Sequence, residues 1–135
     1  LKELFARMAE TIVAARGIPE LEGLAAELAA AIGDVAETTR RLVEAMPKDP
    51  ERALANATLY LDSIGHLVVA WRWLVQALVA TAAMPAAETA AQDFYRGKLA
   101  ACRFFFRYEL PRIQPALKLL RTLDDTALTI PDAAF

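Results

Sequence analysis

Asp93-Phe94-Tyr95-Arg96-Gly97-Lys98-Leu99-Ala100-Ala101-Cys102-Arg103-Phe104-Phe105-Phe106-Arg107-Tyr108-Glu109-Leu110-Pro111 is the stretch around which the rest of the chain is read. Tyr95, Leu99, Cys102, Phe106, Leu110 and Ile113 recur at steps of four, three, four, four and three, which is one stripe of an α-helix. Phe94, Ala101, Phe105 and Tyr108 fall on a second apolar face. A helix apolar on two faces is expected inside, with neighbours on both sides. Its aromatics can each bury on the order of 150–250 Å², so this helix is expected to carry much of the core.

Composition agrees with helices. The 135 residues suffice for one domain. They are 56% apolar, rich in alanine and leucine, and hold five glycines, a balance that favours helix over sheet. A net charge of −2 leaves no basic footprint for nucleic acid. One cysteine, Cys102, excludes an internal disulfide framework and gives no metal-site spacing, which fits a cytoplasmic protein. The longest uncharged run, Trp73–Ala87, has 15 residues and contains Pro85. A bilayer span takes about 20, so no membrane span is expected. The opening Leu-Lys-Glu-Leu-Phe, with neither an initiator methionine nor a signal-peptide pattern, reads as the start of a fragment cut from a longer chain.

Working outward, Leu1, Leu4, Met8, Ile12 and Ala15 mark one face of a first helix. Gly17 suits a positive φ just past its end, and Pro19 suits the first turn of the next helix. Leu21, Leu24, Leu28, Ile32, Val35, Thr39, Leu42 and Met46 mark the second helix, with Glu20, Glu27, Asp34, Glu37, Arg41 and Glu44 on a solvated face. In Met46-Pro47-Lys48-Asp49-Pro50-Glu51, Asp49 is an N-cap and Pro50 a first helical residue. A third helix is expected over Glu51–Ala83. Leu54, Leu61, Val68, Val75 and Ala82 recur every seven residues, as do Ala57, Ile64, Trp71 and Leu78, and these two series read as its seam. A fourth helix covers Ala86–Leu110, Pro111 kinks or ends it, and helix resumes through Leu117, Leu120 and Leu123. Asp124–Phe135 reads as an irregular strap. The expected fold class is therefore all-α, an antiparallel up-down bundle of about four helices with an irregular C-terminal tail, forming one domain over residues 1–135.

Residues that could carry chemistry are few. His66 lies four residues after Asp62, a spacing that suits either a carboxylate-oriented imidazole or, more simply, a surface pair. Cys102 sits on the apolar stripe, where a free cysteine is a small hydrophobe. Arg72, Arg96, Lys98, Arg103, Arg107 and Arg112 form the densest basic group, without a glycine-rich phosphate loop. Glu10, Glu37, Glu44, Glu88 and Glu109 lack the Glu-x-x-His pairs of a di-iron bundle. No catalytic, cofactor-binding or metal-binding residue is therefore assigned. Three successive phenylalanines go round the helix, so at least one must face away from the bundle seam. Trp71, Trp73, Phe104, Phe105 and Phe106 are the interface candidates.

Two blocks carry a family resemblance. Ala53-Leu54-Ala55-Asn56-Ala57-Thr58-Leu59-Tyr60-Leu61 with Gly65 and Trp71 is one, and Phe94-Tyr95, Lys98-Leu99, Arg103-Phe104-Phe105 and Leu110-Pro111 is the other. Together they resemble the C-terminal accessory helical domain of the long bacterial acyl-CoA dehydrogenases, the methylthiopropanoyl-CoA dehydrogenase type. Ala101 and Cys102 depart from the threonine and alanine of that pattern. The resemblance implies a parent enzyme with FAD that takes a proton and a hydride from an acyl-CoA. The catalytic base and main flavin pocket belong to a preceding dehydrogenase core, so no cofactor is expected in this piece. Its partners would be that core and, in a homo-oligomer, a neighbouring subunit. A stand-alone helical dimerisation module is the alternative reading, and a bundle with an apolar pocket for an acyl chain a third.

Overall fold

Every long helix packs on one central rod, and the sequence of that rod shows why. The helix Ala57–Ala83 (α4) buries Ser63, Leu67, Ala70, Leu74 and Ala77 at steps of four, three, four and three, with Ala80 continuing the same side. Alanine along this line lets neighbouring helix axes approach closely, while Leu67 and Leu74 fill the space between them. In the computed structural model, which describes residues 1–134, the remaining elements are α1 (Lys2–Arg16), α2 (Glu22–Ala45), α3 (Pro50–Leu54), α5 (Thr89–Phe104), α6 (Ile113–Arg121) and α7 (Thr126–Thr129). A π-helical turn, Phe105–Glu109, and a 3₁₀ turn, Leu110–Arg112, join α5 to α6 into one kinked rod. The fold is all-α, with no strand among the described residues.

Cross-contacts give the direction of each rod. Tyr60 near the start of α4 meets Thr39 late in α2, at 2.7 Å between hydroxyls. Lys98 of α5 donates to Gln76 of α4 at 3.0 Å, and α6 lies beside the opposite end of α4. Thus α4 runs against α2 and against the α5–α6 rod, and the short Gly17–Leu21 connection turns α1 back onto α2. This is an up-down bundle of four rods around a single core.

Several expectations need correction. Gly17 has φ −76°, and Pro19 lies in the turn three residues ahead of α2, so the break does not use a left-handed glycine. The third helix is two helices, divided at Ala55–Asn56. Asp49 caps α3 as expected, accepting from the Arg52 amide at 3.0 Å. The division is gripped from outside: Asn56 Nδ2 donates to the Asp124 carbonyl at 2.9 Å, Arg52 Nε donates to the Leu123 carbonyl at 3.0 Å, and Arg52 pairs with Asp125 at 2.9 Å. The tail beyond α6 is therefore an anchored strap with its own helical turns. Phe135 lies outside the described residues.

The expected seam is the largest correction. Leu54, Leu61 and Ala82 are exposed, while Ile64, Val68, Trp71 and Leu78 are half-buried against the core, so the two series flank the buried line of α4 and do not form its centre. A rod apolar over more than half its circumference shows the same seven-residue period on neighbouring faces, and close packing selected the one lined by alanine. On α5 the stripe Leu99, Cys102, Phe106, Leu110 and Ile113 is buried, as its spacing predicts. The second apolar face divides: Ala101 and Phe105 are half-buried, with Phe105 packed against the core, while Phe94 and Tyr108 are each more than half exposed.

Candidate functional site

Phe104 and Tyr108 flank the start of the π turn. Pro111 has no N–H to give and its ring crowds the carbonyl one turn back. The helix loosens ahead of it, and the Leu110 amide reaches back to the Phe105 carbonyl, five residues away. The rings of Phe104 and Tyr108 stack at 4.8 Å between centroids with 30° between planes, 56% and 59% exposed. Both border an open groove of about 760 Å³ between this turn and the beginning of α2. Arg103 and Arg107 stand on the ring side, Glu20 and Glu27 on the other. Neither arginine has a carboxylate within 4 Å among the described residues.

Behind the groove the thiol of Cys102 is fully buried, and burial pushes its pKa up to about 12 against a smaller opposing effect of Arg103. It is a core hydrophobe and not a nucleophile. Phe106 is 1% exposed and belongs to the interior. Phe105 is half-buried, 6.3 Å from the ring of His66.

The two tryptophans do not join this surface. Successive helix residues two apart point some 200° from one another. Trp71 donates from Nε1 to Thr11 of α1 at 2.7 Å, while Trp73 lies under Lys98 of α5, 5.5 Å from ammonium to ring. His66 Nδ1 meets the backbone carbonyl of Asp62 at 3.0 Å, so the imidazole is not oriented by the carboxylate. The basic group is dispersed: Arg96 pairs with Asp93, Arg112 with Glu109, and Arg72 sits over Trp71.

A polar cluster escaped the sequence reading. Asp34, placed there on a solvated face, accepts from Arg121 Nη2 at 2.9 Å and from Gln114 Nε2 at 2.8 Å, while Arg121 Nε donates to the buried Thr38 hydroxyl at 2.9 Å. The partners lie 80 or more residues apart, so no local spacing announces them. The cluster clamps α6 to α2. The Gln114 amide, and after it the Arg121 guanidinium, hold the Asp34 carboxyl below its ordinary value of 3.8, against a raising effect of burial. A carboxyl depressed in the folded state stabilises above its unfolded pKa and ceases to as pH falls through the folded one. Asp34→Asn is expected to lose on the order of 1 kcal/mol at pH 7, the low end for hydrogen bonds to a charge because the site is partly exposed. Urea midpoints should show that loss shrinking below about pH 4, and a deficit of equal size at pH 7 and pH 3 would contradict the clamp.

The segment Pro50–Ala86 is long and apolar enough, by length and composition, to cross a membrane, with a mean hydropathy of 1.6 in its most apolar window, of which 28% is buried. The core helix of a soluble bundle passes the same test. Here the hydropathy comes from the buried inner face of α4 together with an outer stripe that includes Leu61 and Val79.

Comparison with known proteins identifies the setting of this fold. The family described as acetyl-CoA dehydrogenase C-terminal like matches residues 4–131. The broad-specificity linear acyl-CoA dehydrogenase FadE5 of Mycobacterium tuberculosis is 36% identical over 77 residues, 56% of this chain and 13% of that protein. The matched part is thus about one eighth of the relative's length. With a family match over nearly its whole length and a helical bundle to suit it, the chain belongs to the acetyl-CoA dehydrogenase C-terminal-like family.

Proposed function

We propose that this chain is the accessory C-terminal domain of an FAD-dependent acyl-CoA dehydrogenase, packing on the dehydrogenase core or a neighbouring subunit and contributing no catalytic residue. The single observation that carries the reading is the stacked, exposed Phe104–Tyr108 pair between Arg103 and Arg107. Aromatic and arginine side chains are enriched where interfaces concentrate their binding energy. Two large rings left in water on a rigid turn are costly unless a partner covers them. Of the interface candidates, Phe104 then carries the docking, with Phe105 at its edge and Trp71, Trp73 and Phe106 serving the bundle itself.

The residues lining the groove do not fit a flavin. Its walls carry two carboxylates and two guanidiniums around an open trough, without an enclosed apolar slot for a fused ring system. FAD and the acyl-CoA thioester accordingly belong to the core in this reading, and the methylthiopropanoyl-CoA type rests on the two sequence blocks. A soluble, cytoplasmic homo-oligomer is the corresponding assembly.

The test separates docking from folding. The dehydrogenase part of the longer protein is produced as its own chain and titrated with this domain. The double substitution Phe104→Ser and Tyr108→Ser is expected to weaken binding at least tenfold, about 1.4 kcal/mol. It should leave the melting curve nearly unchanged, since both rings are already in water. Undiminished binding would refute docking through this pair.

A further inference from the structure

At the far end of α2 from the Phe104–Tyr108 groove, an open hollow of about 460 Å³ lies between the end of α2, α3 and the end of α6. Arg40, Arg41, Lys48, Arg52 and Arg121 line it, five of the chain's 15 lysines and arginines, against two carboxylates, Glu44 and Asp49. A chain of net charge −2 has no general reason to gather cations there. Both carboxylates are engaged: Glu44 accepts from Arg40 Nη1 at 2.6 Å, and Asp49 accepts from the Arg52 amide at 3.0 Å. Arg40 is satisfied as well, its other edge forked onto Glu37 at 2.8 and 2.9 Å. The remaining cations are anchored without being used up. Arg52 donates Nε to the Leu123 carbonyl and pairs through Nη2 with Asp125. Arg121 donates Nε to Thr38 and Nη2 to Asp34. Arg41 donates Nε to Glu37 and, at 3.5 Å, Nη1 to the Arg121 carbonyl. Nη1 of Arg52, Nη1 of Arg121, Nη2 of Arg41 and Nζ of Lys48 have no hydrogen-bond partner among the described residues.

We infer that this hollow binds a phosphate group, held by Arg41, Lys48, Arg52 and Arg121. Guanidinium and ammonium N–H groups are the donors that phosphoryl oxygens accept most strongly. Each arginine is already fixed by its own partner, so little side-chain freedom is lost when the anion arrives. A bound anion also relieves the mutual repulsion of the gathered cations. The lining holds no aromatic ring, so nothing there reads a base or a fused ring system, and the phosphate itself is what is recognised. Leu123 stands on the same wall with φ 52°, a left-handed backbone that leucine rarely adopts. That conformation brings the Leu123 carbonyl to Arg52 Nε, and strain of this kind collects where a ligand clamp must be held in one place. The inference stands on the junction of α2, α3 and α6. It does not depend on docking through Phe104 and Tyr108, whose groove lies roughly 27 Å off along α2, measured from Gly23 to Arg41.

Titration calorimetry of the chain with sodium pyrophosphate, at a constant ionic strength of about 50 mM, tests the site. One binding site is expected, and the melting temperature should rise with ligand concentration, as binding to the folded state requires. Lys48→Glu is the informative variant. Lys48 is exposed and makes no ion pair among the described residues, so the melt without ligand should not move. Affinity should fall at least about tenfold, because a positive charge beside the anion becomes a negative one. Lys48→Gln should show a smaller loss of the same sign. Arg16→Glu, exposed at the opposite end of α2, changes the net charge equally and should leave the affinity as it was. Vesicles of phosphatidylcholine with phosphatidic acid distinguish the source of the phosphate: retention that Lys48→Glu abolishes assigns it to a lipid headgroup, and binding of pyrophosphate alone to a soluble anion. Neither retention nor a melting shift with about 5 mM pyrophosphate would overturn the site. So would a Lys48→Glu chain that binds like the unmodified one, or an equal loss in Arg16→Glu, which would mean attraction to net charge only.

Discussion

Leu74→Glu is expected to leave the chain unfolded at neutral pH. Leu74 is fully buried between Ala70 and Ala77, on the line where α4 meets its neighbours. Burying a carboxylate there, with no cation among the residues of that inner face, costs several kcal/mol even after relaxation. Removing the leucine's own packing adds roughly 2–5 kcal/mol. Domains of this kind have only about 5–15 kcal/mol in hand. The same substitution at Leu61, 67% exposed on the other side of the helix, should change the monomer's stability by no more than about 0.5 kcal/mol. Far-UV circular dichroism of the two variants decides the matter. A folded Leu74→Glu chain beside an unfolded Leu61→Glu chain would mean that the other heptad face is the core.

Phe106→Ala is expected to be the most damaging truncation in the α5–α6 rod. Phe106 is among the largest fully buried side chains and also floors the groove. Loss of a buried phenylalanine costs about 3–5 kcal/mol through lost transfer energy and the cavity left behind. For a chain of this size that is a fall in melting temperature of roughly 10–20 °C. Phe104→Ala, two residues away, should shift the melt by only a degree or two, because its ring is mostly in water already. Calorimetry on the two variants separates them, and equal shifts would mean that Phe104 is held by contacts within this chain. The pairing of a large stability effect at 106 with a docking effect at 104 distinguishes core from surface within three consecutive identical residues.

Much of this was legible before any coordinates. The stripe from Leu99 to Ile113 runs at helical steps and is buried, Asp49 caps α3, and regular α-helix does give way around Pro111. Outward exposure of one ring in the Phe104–Phe106 run follows from 100° per residue. The same arithmetic separates Trp71 from Trp73. What could not be read depended on distant residues. The inner face of α4 was undetermined because apolar residues cover more than half of its circumference, and periodicity names a face without saying which way it points. The break at Asn56 is held by Leu123, Asp124 and Asp125, nearly 70 residues on. The Asp34–Arg121 clamp likewise joins residues that share no local pattern.

The paired irregularities at Pro111 have a consequence for how the last third of the chain is wound. The π turn over Phe105–Glu109 is under-rotated relative to an α-helix, and the 3₁₀ turn over Leu110–Arg112 is over-rotated. Their angular departures have opposite sign and offset one another in part. Leu117 and Leu120 therefore emerge from the joint in phase with Leu99 and Cys102, on the same side of the rod. The helical spacing of large residues therefore runs through the joint as though the winding were uniform.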